Sequence, residues 1–86
     1  MEMRLKEGFI VRKIVNDTVV MDTKDTARLL RLNETAADIL SMITEGLVKD
    51  EMVAEFVKKY EIDAETAEKD ITATLENLKE LGALEE

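Results

Sequence analysis

The feature that most constrains this chain is a change of hydrophobic period within Leu29-Leu30-Arg31-Leu32-Asn33-Glu34-Thr35-Ala36-Ala37. Before it, apolar residues come in short β-branched runs; after it, they recur at helical spacing. Asn33 stands at the changeover. Asparagine is a favoured helix N-cap because its side-chain oxygen accepts a hydrogen bond from an orphan backbone N–H two or three residues on. Residues 29–32 therefore read as the end of a last strand, and Asn33 as the cap of a first helix. The fold class implied is α+β, a three-stranded antiparallel sheet followed by a three-helix bundle.

The strands are placed by composition and turns. Residues 9–15 and 18–21 are rich in aliphatic and β-branched types, and Asn16-Asp17 between them suits a two-residue hairpin turn. In the first strand Phe9, Val11 and Val15 share one face with Lys13, while Ile10 and Ile14 share the other with Arg12. One face is expected to pack on the helices and the other to be partly covered. Residues 22–26 form a polar connector of ordinary length, leading into a third strand made of Ala27, Arg28, Leu29, Leu30, Arg31 and Leu32. A meander leaves two edges, and charge commonly blunts such edges. Arg28 and Arg31 serve that purpose, or they attract an acidic partner strand.

Three helices follow. The first runs over about 34–44, with Ala36, Ala37, Ile39, Leu40 and Ile43 as its apolar stripe and Gly46 as its left-handed stop. The second covers about 49–60, presenting Met52, Val53, Phe56, Val57 and Tyr60; Val48 offers no capping side chain. The third begins after Asp63 and ends at Leu81 before Gly82, with Glu65 in the dipole-favoured first turn. Its inward stripe is Ala67, Ile71, Leu75 and Leu78. Asp70, Thr74, Asn77 and Leu81 lie along one flank, where Leu81 either packs against Leu84 or belongs to a groove.

Composition narrows the chemistry. Eighty-six residues make a single domain, spanning 1–86, and a chain of this size buries only about 60–65% of its extended-chain surface. Histidine and cysteine are absent, which removes the usual general base, the commonest metal ligand and any thiolate zinc site. Ser41 is the lone serine, with no imidazole to activate it. Carboxylate pairs such as Glu34/Asp38 and Glu51/Glu55 are ordinary solvated helix faces without a base or nucleophile beside them. No catalytic residue, metal or cofactor is assigned. No apolar run is long enough to span a membrane, and the N-terminal seven residues lack the apolar core of a signal peptide. A cytoplasmic location fits.

The net charge is −8 and unevenly spread. Residues 1–33 carry seven Lys/Arg against five acids, whereas residues 34–86 carry fifteen acids against five lysines. Nucleic-acid affinity comes mainly from neutralising phosphates, so the balance argues against it. A winged-helix regulator would need a basic third helix, but residues 63–81 hold six acids and two lysines. An acidic ligand would be steered toward the strands instead.

The ordered set Leu32, Asn33, Glu34, Thr35 and Ala36 at the strand–helix junction, Gly46 after the first helix, and Asp70, Ile71, Leu75, Leu78 and Gly82 in and after the third, followed by Leu84, resembles the PqqD-like family. The likeness covers about residues 5–85. It departs from the family's pattern at Val48, where a polar cap is usual, and at Leu29-Leu30, where an aromatic is common. Such domains are winged-helix-like recognition elements for ribosomally made, later modified peptides, and bind the leader of the precursor. The resemblance implies a peptide chaperone that presents the precursor to a modifying enzyme, such as a radical-SAM enzyme, as in PQQ biosynthesis. It implies that the leader adds as a strand to residues 27–32 and packs against a wall drawn from Ala67, Asp70, Ile71, Thr74, Leu75 and Leu78. The same edge would equally serve a homodimer.

Overall fold

In a computed structural model, which describes residues 3–85, three strands form an antiparallel sheet in the order β2-β3-β4: β2 (Phe9–Ile14), β3 (Asp17–Asp22) and β4 (Asp25–Leu32). Three helices follow, α1 (Glu34–Thr44), α2 (Lys49–Tyr60) and α3 (Ala64–Leu81). A separate ribbon pairs β1 (Arg4–Leu5) with β5 (Leu84–Glu85), with Leu5 opposite Leu84. The sequence reading contains no such ribbon. Met1, Glu2 and Glu86, which include part of the segment read as lacking a signal peptide and the ends of the expected 1–86 domain, lie outside the described residues. No helix among the described residues is long and apolar enough to cross a membrane.

Cap chemistry fixes the helix ends. The Asn33 Oδ1 accepts from the Ala36 N–H at 2.9 Å, as the changeover predicts. Beyond α1, Gly46 holds φ 85, and its N–H and that of Leu47 return to the Ile43 and Met42 carbonyls. This is the Schellman closure that a left-handed residue permits. Val48 has no acceptor to offer α2, so only the reciprocal half of a capping box forms, with Glu51 Oε1 accepting from the Val48 N–H at 2.9 Å. Asp63 accepts from the Thr66 N–H at 2.8 Å, and hydrogen bonds from Thr66 hold the Asp63 carboxyl below its ordinary range.

The first hairpin differs from expectation. Its turn is Val15-Asn16, because Ile14 pairs with Asp17. A turn at Asn16-Asp17 would set Lys13 against Val20 and Val11 against Asp22. The observed register instead matches Val11 with Val20 and Ile10 with Met21, and cross-strand apolar pairs are the favourable unit of a sheet. The cost falls on Val15, a β-branched residue at φ 54. The second connector is also shorter than expected. It is only Thr23-Lys24, since Asp22 pairs with Asp25 and β4 begins there.

Alternation along this register gives the sheet an inner face with Val11, Val20, Leu30 and Leu32 and an outer face with Ile10, Val19, Met21, Leu29, Arg12 and Arg31. The inner face meets α1 and α3. Val20, Leu32, Ile39, Ile43, Met52, Phe56, Ala67, Ile71 and Leu78 form one buried cluster, against which Phe9 and Leu30 also pack. Which face of the first strand packs on the helices was open in the sequence; it is the face of Phe9 and Val11, and on the other face Ile10 and Ile14 are exposed rather than partly covered. Val19 is buried although it points away from the helices; its neighbours there are Arg12 and Arg31, whose aliphatic stems account for its cover.

Candidate functional site

β4 pairs with β3 alone, so its other side is an open edge among the described residues. The backbone groups on that side have no strand partner and can template another chain. Beside the C-terminal half of the edge runs a groove of about 440 Å³, lined by Leu30, Arg31, Leu32, Asn33, Thr35 and Ala36 on one side and by Asp70, Ala73, Thr74 and Asn77 of α3 on the other. An exposed sheet edge with a helix alongside can give main-chain hydrogen bonds and, on the inner face, seats for alternate side chains.

Each wall is set by local chemistry. Asn33 both caps α1 and accepts from Thr35 Oγ1 at 3.0 Å, so the groove floor is hydrogen-bonded where strand becomes helix. Thr74 is buried, and its hydroxyl donates back along the helix to the Asp70 carbonyl at 3.1 Å. Asp70 and Arg31 are exposed and carry no ion pair among the described residues. The groove therefore presents the free Asp70 carboxylate from α3, while the unpaired Arg31 side chain stands on the outer face of the same strand edge.

The far end of β4 is tied down. Arg28 Nη2 donates to the Leu81 carbonyl at the C-terminus of α3, while Arg28 Nη1 lies 3.6 Å from Asp22 Oδ2. A guanidinium at a helix C-terminus meets orphan carbonyls and the negative end of the dipole. Arg28 thus spans from strand to helix within the chain, and its expected pairing with an external carboxylate would compete with these contacts.

The twelve residues predicted from sequence are sorted by this geometry. Leu30, Arg31, Leu32, Asp70 and Thr74 line the groove. Ala27 and Leu29 lie on the same strand outside it, with the Ala27 N–H already donating to Asp25 Oδ1 at 3.2 Å. Ala67, Ile71, Leu75 and Leu78 are buried core side chains, held one helix face away. Ala73 and Asn77 complete the α3 wall and were not among the twelve; Asn77 falls on the flank that helical spacing had marked. Leu81 and Leu84 are both half-buried against the core, and Leu81 does not line the groove.

Three findings bear on kinship. The model of the family described as coenzyme PQQ synthesis protein D (PqqD) matches residues 17–84. A solved structure described as lasso peptide synthetase B1 complexed with the leader peptide superposes with a TM-score of 0.90 at 28% identity, covering 100% of both chains. A second, described as TbiB1 in complex with the TbiA(beta) leader peptide, gives a TM-score of 0.83 at 22% identity, covering 95% of this chain and 94% of the other, a likeness of fold. No curated protein sequence matches significantly.

Proposed function

This chain belongs to the PqqD family, and from that premise we propose that it binds the leader of a ribosomally made precursor peptide by strand addition and has no catalytic activity of its own. The observation that carries this reading is the open edge of β4 beside the α3 groove. In the structure at 28% identity, the protein is likewise described with a leader peptide bound. The leader lies along residues 28–32 of β4, its alternate side chains entering between Leu30, Leu32 and the Ala73–Thr74–Asn77 wall.

The edge supplies affinity through main-chain hydrogen bonds, and the groove supplies selectivity. Arg31 pairs with a leader carboxylate and Asp70 with a leader cation or donor. Ordering a flexible peptide offsets much of the contact energy, so the hydrogen-bonded Asn33–Thr35 floor and the tethered Arg28 matter: they hold both ends of the edge in place before the peptide arrives. A modifying enzyme, a radical-SAM enzyme among the classes this family serves, then acts on the core peptide held close by. A cytoplasmic setting accords with this role.

Titrating the cognate precursor leader into the full chain and following backbone amides by heteronuclear NMR tests the reading. Saturable shifts confined to residues 28–33 and 70–77 are expected. Saturable leader binding that leaves those amides unmoved would sink it.

A further inference from the structure

The sheet has a second open edge, β2, and it is built differently from β4. Among the described residues β2 pairs with β3 alone. Four of the six exposed large hydrophobic residues among the described residues, Ile10, Val11, Ile14 and Val15, lie on this strand and its turn. Edge blunting by charge accounts for Arg12 and Lys13, but it gives no reason to leave apolar side chains bare on both faces. Beneath the strand, a cleft of about 320 Å³ separates β2 from α1, lined by Val11, Lys13, Ala37, Asp38, Leu40 and Ser41 among others. An open edge with a helix alongside thus occurs twice, once at each side of one small sheet.

The two faces of β2 ask for different chemistry. Asp38 already accepts from Lys59 at 2.7 Å and from Tyr60, and Lys13 lies close enough to lower its pKa further. The charges of the inner cleft therefore offset one another, and of its remaining lining Val11, Ala37 and Leu40 are apolar, with Thr18, Ser41 and Thr44 beside them, which suits small apolar side chains. On the outer face, Arg12 has no ion pair among the described residues. The nearest outer-face acid in the ladder is Asp17, at the hairpin end. A second copy of this chain is a poor occupant, because pairing β2 with itself brings two unpaired Arg12 side chains together on the outer face of a six-residue strand that carries no acid of its own.

We propose that the β2 edge is a second strand-addition site. It takes an extended segment of a partner protein in which apolar side chains, turned toward Val11 and α1, alternate with carboxylates turned toward Arg12. This goes beyond the leader reading and does not depend on it, since β4 and β2 are opposite edges and both can be filled at once.

The probe is an acetylated, amidated octapeptide alternating valine and glutamate, titrated into the full chain and followed by heteronuclear NMR. Its lysine counterpart serves as control. The expected result is saturable shifts over residues 9–14 and at Ala37 and Ser41, weakening several-fold between about 50 mM and about 500 mM salt as exposed charges are screened. Arg12→Glu should lower the affinity about tenfold, as loss of one exposed pair and gain of one repulsion imply, with an otherwise unchanged spectrum. Equal shifts from the lysine peptide, or no loss in Arg12→Glu, would overturn the inference. So would light scattering that shows a dimer which the peptide disperses, because the edge would then belong to a second copy. Glutamate-peptide shifts confined to residues 28–33 would also overturn it while leaving the leader reading standing. Failure of a leader to move residues 28–33 would count against that reading alone.

Discussion

Arg28 of β4 donates to the Leu81 carbonyl, so the strand that offers the open edge is fastened to the last turn of the helix that walls the groove. The two residues are 53 positions apart in sequence, and nothing local in either segment announces the contact. Its effect is to fix the spacing between edge and helix at one end while the other end, by Asp70 and Asn33, stays accessible.

Removing this tie should loosen the groove before it unfolds the protein. Arg28→Ala is expected to cost about 1–2 kcal/mol, the range for a hydrogen bond to a charged group trimmed for partial exposure, measured by urea denaturation. Leader affinity should fall as well, and amide exchange should quicken at Gly82 and Ala83. Arg28→Lys keeps the charge but not the forked geometry, and should recover only part of both.

Groove and core substitutions should separate cleanly on α3. Ala73→Glu and Asn77→Ala should weaken leader binding while shifting stability by no more than about 0.5 kcal/mol, as surface changes do. Ile71→Ala, one position along from Asp70, removes a fully buried side chain and should cost about 2–5 kcal/mol. Paired denaturation and binding curves check both; a groove variant that loses stability but not affinity would move the binding wall elsewhere.

The Asp38–Lys59–Tyr60 cluster joins α1 to the end of α2 and should titrate outside the physiological range. Burial pushes the Asp38 carboxyl up, but hydrogen bonds from Lys59 and Tyr60 outweigh it and hold the group below its ordinary range. The hydrogen bond to Asp38 raises the Tyr60 phenol, and burial adds to this. A depressed carboxylate stabilises the fold above its unfolded value of about 3.9 and loses that contribution as pH falls through its folded value. A raised phenol stabilises below about 10 and loses its contribution as pH rises through its folded value. The cluster's contribution should therefore be flat between those limits. Tyr60 is the only tyrosine and there is no tryptophan, so phenolate absorbance reads it alone: its midpoint should lie above the ordinary value and return toward it in Asp38→Ala.

Val15→Gly should stabilise the chain. A non-glycine residue in the left-handed region costs about 1–3 kcal/mol, and glycine gives back part of that gain in unfolded-state entropy, about 0.5–1 kcal/mol. A net gain near 0.5–1 kcal/mol in thermal or denaturant unfolding is expected, because Val15 is 90% exposed and leaves no cavity.

Much of the fold was legible because helix ends are written locally. Asn33, Gly46, Asp63 and Gly82 each act on backbone groups within a few residues, and α1 and α3 begin and end where these residues place them, whereas α2 starts at Val48 without a side-chain cap and stops at Glu61, a non-glycine residue at φ 52. The hairpin turn was misplaced because the Asn-Asp pair is a local cue, while the register was decided by Val11 meeting Val20 across strands. The β1–β5 ribbon was invisible because two-residue strands carry no period to detect. On α3 the helical spacing marked both the buried stripe and the flank holding Asp70, Thr74 and Asn77. Which of the two faced the open edge depended on how the helix is rotated against β4, a tertiary fact that no stretch of sequence states.

The ribbon of Arg4–Leu5 with Leu84–Glu85 has a consequence for how the domain assembles. It closes a loop of nearly the entire chain, with Arg4 and Glu85 bonded across 81 positions, and long loops are the slowest contacts to find. The caps and hairpins can form early from neighbours, but the end of α3 is clasped only when the first strand meets the last. The clasp on the last turn of α3, at the Leu81 end of the groove, should accordingly mature late in folding, when Arg4–Leu5 meets Leu84–Glu85.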